Sequence, residues 1–163
     1  MFPVTMSTRW PGQGIFMNNN FNKDLPYGKQ IELEFIELLK MRGYMILEQC
    51  DNWMFDVAFA APVNGLWRVW HSEIKGDYKN KETGNVAIEF ENRGIISGIS
   101  TTLADRWFQK LEDGFWEIKT QRLKEIIKQK QFKDIKSGGD PGSNTRFYIF
   151  DGNYFRKQGK KFE

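Results

Sequence analysis

The feature that most narrows the fold is a pair of runs rich in aromatic and β-branched residues. They are "WMFDVAFA" at residues 53–60 and "WRVWHSEIKG" at residues 67–76, separated by only "APVNGL". Runs of this length, joined by a short turn, read as two strands that neighbour each other in a sheet. Both carry charge inside an apolar pattern: Asp56 interrupts the first, and Glu73 and Lys75 lie two residues apart in the second. Side chains alternate faces along a strand, so Glu73 and Lys75 point the same way. A carboxylate in an apolar strand is costly unless it is paired or binds a cation.

Around this pair the order of elements is α/β. Ile31, Phe35, Leu38 and Leu39 in "GKQIELEFIELLKMRGY" recur at the spacing of an amphipathic helix, and Gly43 is its expected stop. "YMILEQC" reads as a strand before a turn at Asp51-Asn52, and "NVAIEFE" as a further extended segment. "STTLADRWFQKLE" is expected to begin a helix, with Thr102 as N-cap and Asp105 three residues on, as in a capping box. "FWEIK" follows as a strand and "TQRLKEIIKQKQF" as a basic helix with Leu123, Ile126 and Ile127 on its apolar side. "IKSGGDPGSN" reads as a loop and "RFYIF" as the last strand. This order predicts one central mixed β-sheet flanked by helices. Residues 1–27 show no periodicity and are expected to form an irregular arm, with residues 28–163 as a single domain.

Composition removes several classes. Fourteen Phe, six Trp and five Tyr argue against global disorder. No apolar run approaches the roughly 18 residues of a membrane span, and "MFPVTMSTRW" lacks the plan of a signal peptide. Cys50 is the only cysteine and His71 the only histidine, so neither an internal disulfide nor a structural zinc site is expected. These features predict a cytoplasmic protein. The net charge of +3 hides an asymmetry: residues 1–118 carry 12 Lys/Arg against 16 Asp/Glu, and residues 119–163 carry 12 against 5. An acid-rich body with a basic C-terminal third fits a protein that holds a cation in one place and a polyanion in another.

Glu-x-Lys on a strand is by itself an ordinary exposed ion pair, worth little. With Asp56 on the neighbouring strand, the three residues can converge. Two carboxylates are hard oxygen ligands suited to Mg²⁺, which keeps several of its waters. A lysine beside such a water can help deprotonate or orient it. The set suits hydrolysis of a phosphodiester.

Asp56, Glu73 and Lys75 also resemble the signature of the PD-(D/E)XK nucleases, an acid on the second strand and then (Asp/Glu)-x-Lys on the third. The proline that often precedes the first acid is Phe55 here. Gly28, Glu32, Phe35, Leu38, Leu39, Gly43 and Tyr44 are similar in spacing to the first helix of resolvase-like members, which favours Glu32 over Glu34 as a further acid. A narrower likeness covers "EIKGDYKNKETGNVAIEFENRGIISGISTTLADRWF", which resembles the middle of phage-encoded nucleases of this superfamily. Together these likenesses span roughly residues 28–119. They imply a restriction-endonuclease-like core and a Mg²⁺-dependent endodeoxyribonuclease, homing, restriction-like or junction-resolving. They also imply a product with a 5′-phosphate and a 3′-hydroxyl. Mn²⁺ is expected to replace Mg²⁺, and Ca²⁺ to support binding without efficient cleavage. One site per chain implies a homodimer acting on double-stranded DNA, in a phage-infected bacterial host. Metal ligation falls to Asp56, Glu73 and Glu32, and Lys75 assists the attacking water. The rival readings are an RNA endonuclease with the same site, a DNA-binding or assembly protein on a nuclease fold, and an unrelated sheet protein with a fortuitous ion pair.

Further candidates for nucleic-acid contact are Lys79, Lys81 and Asn85 around a Thr83-Gly84-Asn85 turn. Ser100, Thr101 and Thr102 are candidates because free N–H groups at a helix start favour phosphate. Arg146, Arg156, Lys157, Lys160 and Lys161 supply cations in the C-terminal third. Trp10, Phe16 and Asn18–Asn20 of the arm are placed to reach a groove. Glu89 and Glu91 share a strand face and can extend the acidic cluster, whereas His71 reads first as a packed histidine.

Overall fold

The computed structural model describes residues 26–139 and 142–163. Residues 1–25 of the arm, with Trp10, Phe16 and Asn18–Asn20, lie outside the described residues, and its last residue, Tyr27, opens the first helix instead of staying irregular. The first helix, α1 (Tyr27–Met41), forms as its periodicity predicts and buries Ile31, Phe35, Ile36 and Leu39. It stops where Gly43 adopts φ +70°. The Gly43 N–H donates to the Lys40 carbonyl and the Tyr44 N–H to the Leu39 carbonyl, the paired closure that a left-handed glycine makes available.

Strand β1 (Met45–Gln49) follows, then β2 (Val57–Val63) and β3 (Leu66–Gly76), which form the expected antiparallel hairpin. Its turn is Asn64-Gly65, both at positive φ, the two-residue connection whose twist suits a hairpin. Beyond a short helix α2 (Asn80–Thr83) come β4 (Asn85–Asn92), β5 (Ile95–Ile96) and a 3₁₀ turn at Gly98–Ser100. The chain continues through β6 (Arg106–Leu111), β7 (Gly114–Lys119), α3 (Thr120–Lys128), β8 (Asp134–Gly138), β9 (Thr145–Asp151), α4 (Gly152–Gln158) and β10 (Lys160–Phe162). A mixed sheet has the order β1-β2-β3-β6-β7-β10, in which β3 and β6 are parallel. A second sheet, antiparallel throughout, has the order β5-β4-β9-β8.

The parallel pair dictates the layering. Parallel neighbours cannot be joined by a tight turn and need a crossover. Here the connection from β3 to β6 carries β4 and β5, so the second sheet lies against the first. Ile74 and its neighbour Phe108 turn toward α1, in a cluster with Phe35, Leu39, Val57 and Phe59. Trp107, Leu111 and Ile118 turn the other way and pack with Val86, Ile88 and Phe150 of the second sheet, Leu123 and Ile126 of α3, and Phe155 of α4. The central strands are thus covered on both faces.

Three expectations are corrected. The helix predicted from Thr102 does not form: the segment from Arg106 is β6, whose Trp107, Phe108, Gln109 and Leu111 are all buried. The stretch read as a loop contains the edge strand β8, and there are two sheets rather than one. Among the described residues no helix is long and apolar enough to cross a membrane.

Phe35 is fully buried and meets Phe59, Phe108, Phe115 and Phe162. Phe35→Ala should lower stability by about 3–5 kcal/mol in denaturant titration; a loss below about 1 kcal/mol would contradict the packing of α1 on the mixed sheet.

Candidate active site

The three charged residues of the hairpin meet where β2 begins and β3 ends. Asp56 immediately precedes β2, and its N–H donates to the Ser72 carbonyl at 2.9 Å. Its Oδ2 accepts the Ile74 N–H at 2.6 Å. These two bonds straddle Glu73 and hold the Asp56 carboxylate against β3. Lys75, on the same face as Glu73, lies 2.6 Å from Glu73 Oε1 and 3.9 Å from Asp56 Oδ2. The side chains of Asp56 and Glu73 are 13% and 8% exposed, that of Lys75 32%.

Glu73 is fixed from its other side. Thr102, buried in the loop before β6, donates its hydroxyl to Glu73 Oε2 at 2.8 Å. The Ala104 N–H in turn donates to the Thr102 hydroxyl. Thr102 therefore anchors a carboxylate where the sequence predicted a helix cap. Ser100 and Thr101 spend their hydroxyls on the Phe90 and Gly98 carbonyls.

The electrostatics follow from burial. Burial raises the Asp56 carboxyl to about 6; the Glu73 and Glu32 charges push the same way, and Lys75 and the Ile74 N–H only partly offset them. For Lys75 burial works against the charge, but Glu73 and Asp56 outweigh it and lift the ammonium above the ordinary lysine range. The Glu89 charge on β4 adds to that lift. Its orientation is set by Ser97, which donates to Glu89 Oε1 at 2.7 Å. Gly98 is held so close that a Cβ would lie 2.4 Å from the Glu89 carbonyl oxygen.

The other candidates are more dispersed. Glu32 is near enough for its charge to act on Asp56, but its carboxylate pairs with Lys29 at 2.9 Å. Glu34 pairs with Lys110. His71 packs on Phe55 and meets Asp105 at 3.3 Å. Among the described residues no three His, Cys, Asp or Glu side chains come together as a metal-binding group. Two carboxylates facing one ammonium are still a hard-oxygen donor pair, chemically suited to a Mg²⁺ that retains most of its waters.

Lys79 and Lys81 flank and enter α2, with Lys79 over the Tyr78 ring, and Asn85 opens β4 and accepts from Lys133. Arg146 pairs with Glu91, Arg156 with Asp113, Lys160 with Glu117 and Lys161 with Glu163, while Lys157 is exposed on α4. Of the twelve cations in the basic C-terminal third, five (Arg122, Arg146, Arg156, Lys160 and Lys161) are ion-paired among the described residues.

Sequence reasoning missed Gln109. It pairs in register with Lys75, is completely buried, accepts the Trp107 indole N–H, and has no partner for its Nε2 among the described residues. Reading "RWFQKL" with period two would have exposed it, as a polar residue between inward-facing Trp107 and Leu111. No protein-family model, curated protein or solved structure matches the chain.

The raised Asp56 carboxyl has a measurable consequence. A carboxyl whose folded value exceeds its unfolded one contributes stability below about 3.8, and that contribution is lost as pH rises through about 6. Asp56→Asn should therefore gain over the wild type as pH rises. The difference in Tm between the two is expected to widen by about 3–8 °C between pH 4 and pH 7.5 in the absence of divalent cations. A difference that stayed flat or narrowed would contradict the burial of a carboxylate that Lys75 and the Ile74 N–H only partly compensate.

Proposed function

We propose that the protein is a metal-dependent endodeoxyribonuclease built on a PD-(D/E)XK core. The observation that carries this reading is the convergence of Asp56, Glu73 and Lys75 at the adjoining ends of β2 and β3, with one ammonium reaching both carboxylates. An α/β body with a mixed sheet and a helix packed on one face is consistent with such a core.

In this reading Asp56 and Glu73 would hold a Mg²⁺, with the Glu32 charge nearby. When bound, the ion would supply Lewis-acid stabilisation of the phosphate and lower the pKa of a coordinated water. Thr102 keeps the Glu73 carboxylate in one orientation, and the Ile74 N–H does the same for Asp56. Lys75, held protonated by its neighbours, acts as a cation: it donates to a non-bridging phosphate oxygen, which positions the phosphate for the attacking water and opposes the negative charge that builds on that oxygen. Water attacks phosphorus, the bond to the 3′-oxygen breaks, and the proton the water gives up is balanced by the one the 3′-oxygen takes, leaving a 3′-hydroxyl and a 5′-phosphate. Double-strand cleavage by a chain with one such site calls for a homodimer. A phage-type setting belongs to the same reading and rests on the likeness of residues 73–108.

A second reading is favoured by the short contact of Lys75 with Glu73, which is equally what a purely structural ion pair makes: a DNA-binding protein without chemistry. Cleavage assays on linear, branched and single-stranded DNA, with RNA in parallel, separate the two. The wild type should cut DNA in Mg²⁺ or Mn²⁺ and bind it without efficient cutting in Ca²⁺. Lys75→Ala should cost at least about 100-fold in turnover with DNA affinity within a few-fold, and Asp56→Asn should abolish cutting. Full activity in both variants would sink the nuclease reading, and preferential cutting of RNA would move the substrate class.

A further inference from the structure

A cleft of about 360 Å³ opens on the second sheet, just beyond the end of β3. Its floor is Ala87, Ile149 and Phe147. Ala87 pairs with Ile149 across β4 and β9, and Phe147 with Lys136 across β9 and β8. All four lie on the face opposite Val86, Ile88 and Phe150, which belong to the core. One wall is Asp77, Tyr78 and Lys79, in the connection from β3 to α2, and the other is β8 with Lys136.

The register places this cleft beside the candidate site. Asp77, two residues past Lys75, accepts the Ala87 N–H at 3.0 Å. Glu89, two residues past Ala87 and on its strand face, pairs in register with Phe147, and its charge acts on Lys75. From the contact between Asp77 and Ala87, a two-residue step of about 7 Å leads to Lys75 along one segment and to Glu89 along the other.

The lining suits one kind of ligand. Tyr78 is 67% exposed and meets the edge of Tyr27 at 5.7 Å, and Phe147 supplies a second ring. A single exposed aromatic is ordinary; two in a cleft edged by cations are the elements that stack a base and hold its phosphate. The Lys79 ammonium lies over the Tyr78 ring at 5.8 Å. Lys136 is exposed, and neither ammonium has an ion pair among the described residues. Lys133 adds a third cation at the rim, where it donates to Asn85 Oδ1. The acid in the lining, Asp77, is engaged by the Lys79 and Ala87 N–H groups. A paired base lies inside the duplex and offers no face to a ring. An unpaired nucleotide does, and a cleft of this volume has room for one.

We propose that this cleft holds one unpaired nucleotide of the DNA, its base against Tyr78 and Phe147 and its phosphate against Lys79 and Lys136, so that the substrate is DNA with an unpaired segment beside the scissile bond. The inference rests on the nuclease reading for the scissile bond and deepens it by naming the DNA structure; the cleft and its ligand do not depend on cleavage.

The test uses the full chain. Affinity is measured in Ca²⁺ for a continuous duplex and for the same duplex with a short single-stranded gap, in which a fluorescent adenine analogue reports stacking by quenching. The wild type should bind the gapped DNA about tenfold more tightly and quench the analogue. Tyr78→Ala should bring the ratio of the two affinities toward one and remove most of the quenching. Lys136→Gln should weaken binding of the gapped DNA and reduce its salt slope by about 0.7. Both residues are exposed, so these variants should fold. Equal affinity of the wild type for the two DNAs, no binding of either, or a preference that Tyr78→Ala retains would overturn the proposal, whatever the cleavage assays show. Tighter binding of single-stranded RNA than of the gapped DNA would assign the cleft to RNA and overturn it as well. A preference that depends on Tyr78, with no cleavage by the wild type in Mg²⁺, would leave this site standing and remove the nuclease reading instead.

Discussion

One ammonium between two half-desolvated carboxylates is the contact on which the rest of the structure turns. Lys75 cannot be removed without leaving Asp56 and Glu73 facing each other in a place with little water, and neither acid can be removed without weakening the hold on Lys75. Such an arrangement costs stability when its charges are uncompensated. The chain accommodates it by giving each carboxylate a fixed donor, the Ile74 N–H for Asp56 and the Thr102 hydroxyl for Glu73. A site held in this way is preorganised, since its groups need little rearrangement to meet an incoming cation or phosphate.

The fold serves that contact. The hairpin sets the register that brings Asp56 beside β3, and the Asn64-Gly65 turn leaves that register no slack. The parallel neighbour β6 forces the long crossover through the second sheet. That crossover delivers Thr102 onto Glu73 and brings the Glu89 charge within range of Lys75. The Ser97-Gly98-Ile99 segment acquires a physical meaning here: Gly98 permits a backbone approach to Glu89 that any side chain would block. On the far face α1 seals the sheet with Phe35 and Leu39 and brings Glu32 to the rim.

Much of this was legible in the sequence where one periodicity dominates. The first helix and its glycine stop, the hairpin, and the shared face of Glu73 and Lys75 all follow from spacing alone. β6 did not, because a strand buried on both faces has no polar side to reveal its period. Trp107, Phe108, Gln109 and Leu111 form such a run, preceded by a Thr102-x-x-Asp105 pattern that mimics a helix cap. β8 was hidden for the opposite reason, since every residue in it is exposed and burial leaves no imprint. The partners of Glu73 and Glu89 lie far along the chain or in turns, and only the folded topology brings them in. The basic C-terminal third is one block only along the chain: in the fold Arg122, Arg146, Arg156, Lys160 and Lys161 pair with carboxylates, and its other cations have no ion pair among the described residues.

The central claim is that Asp56 and Glu73 together form a cation site, with Lys75 as its charged neighbour. A crystal of the protein soaked in Mn²⁺, with anomalous diffraction recorded at a wavelength where manganese scatters strongly, tests it most directly. The account predicts a peak between the two carboxylates, within about 2.2 Å of an oxygen from each. A well-occupied manganese elsewhere, with Lys75 still bridging an empty Asp56–Glu73 pair, would contradict it.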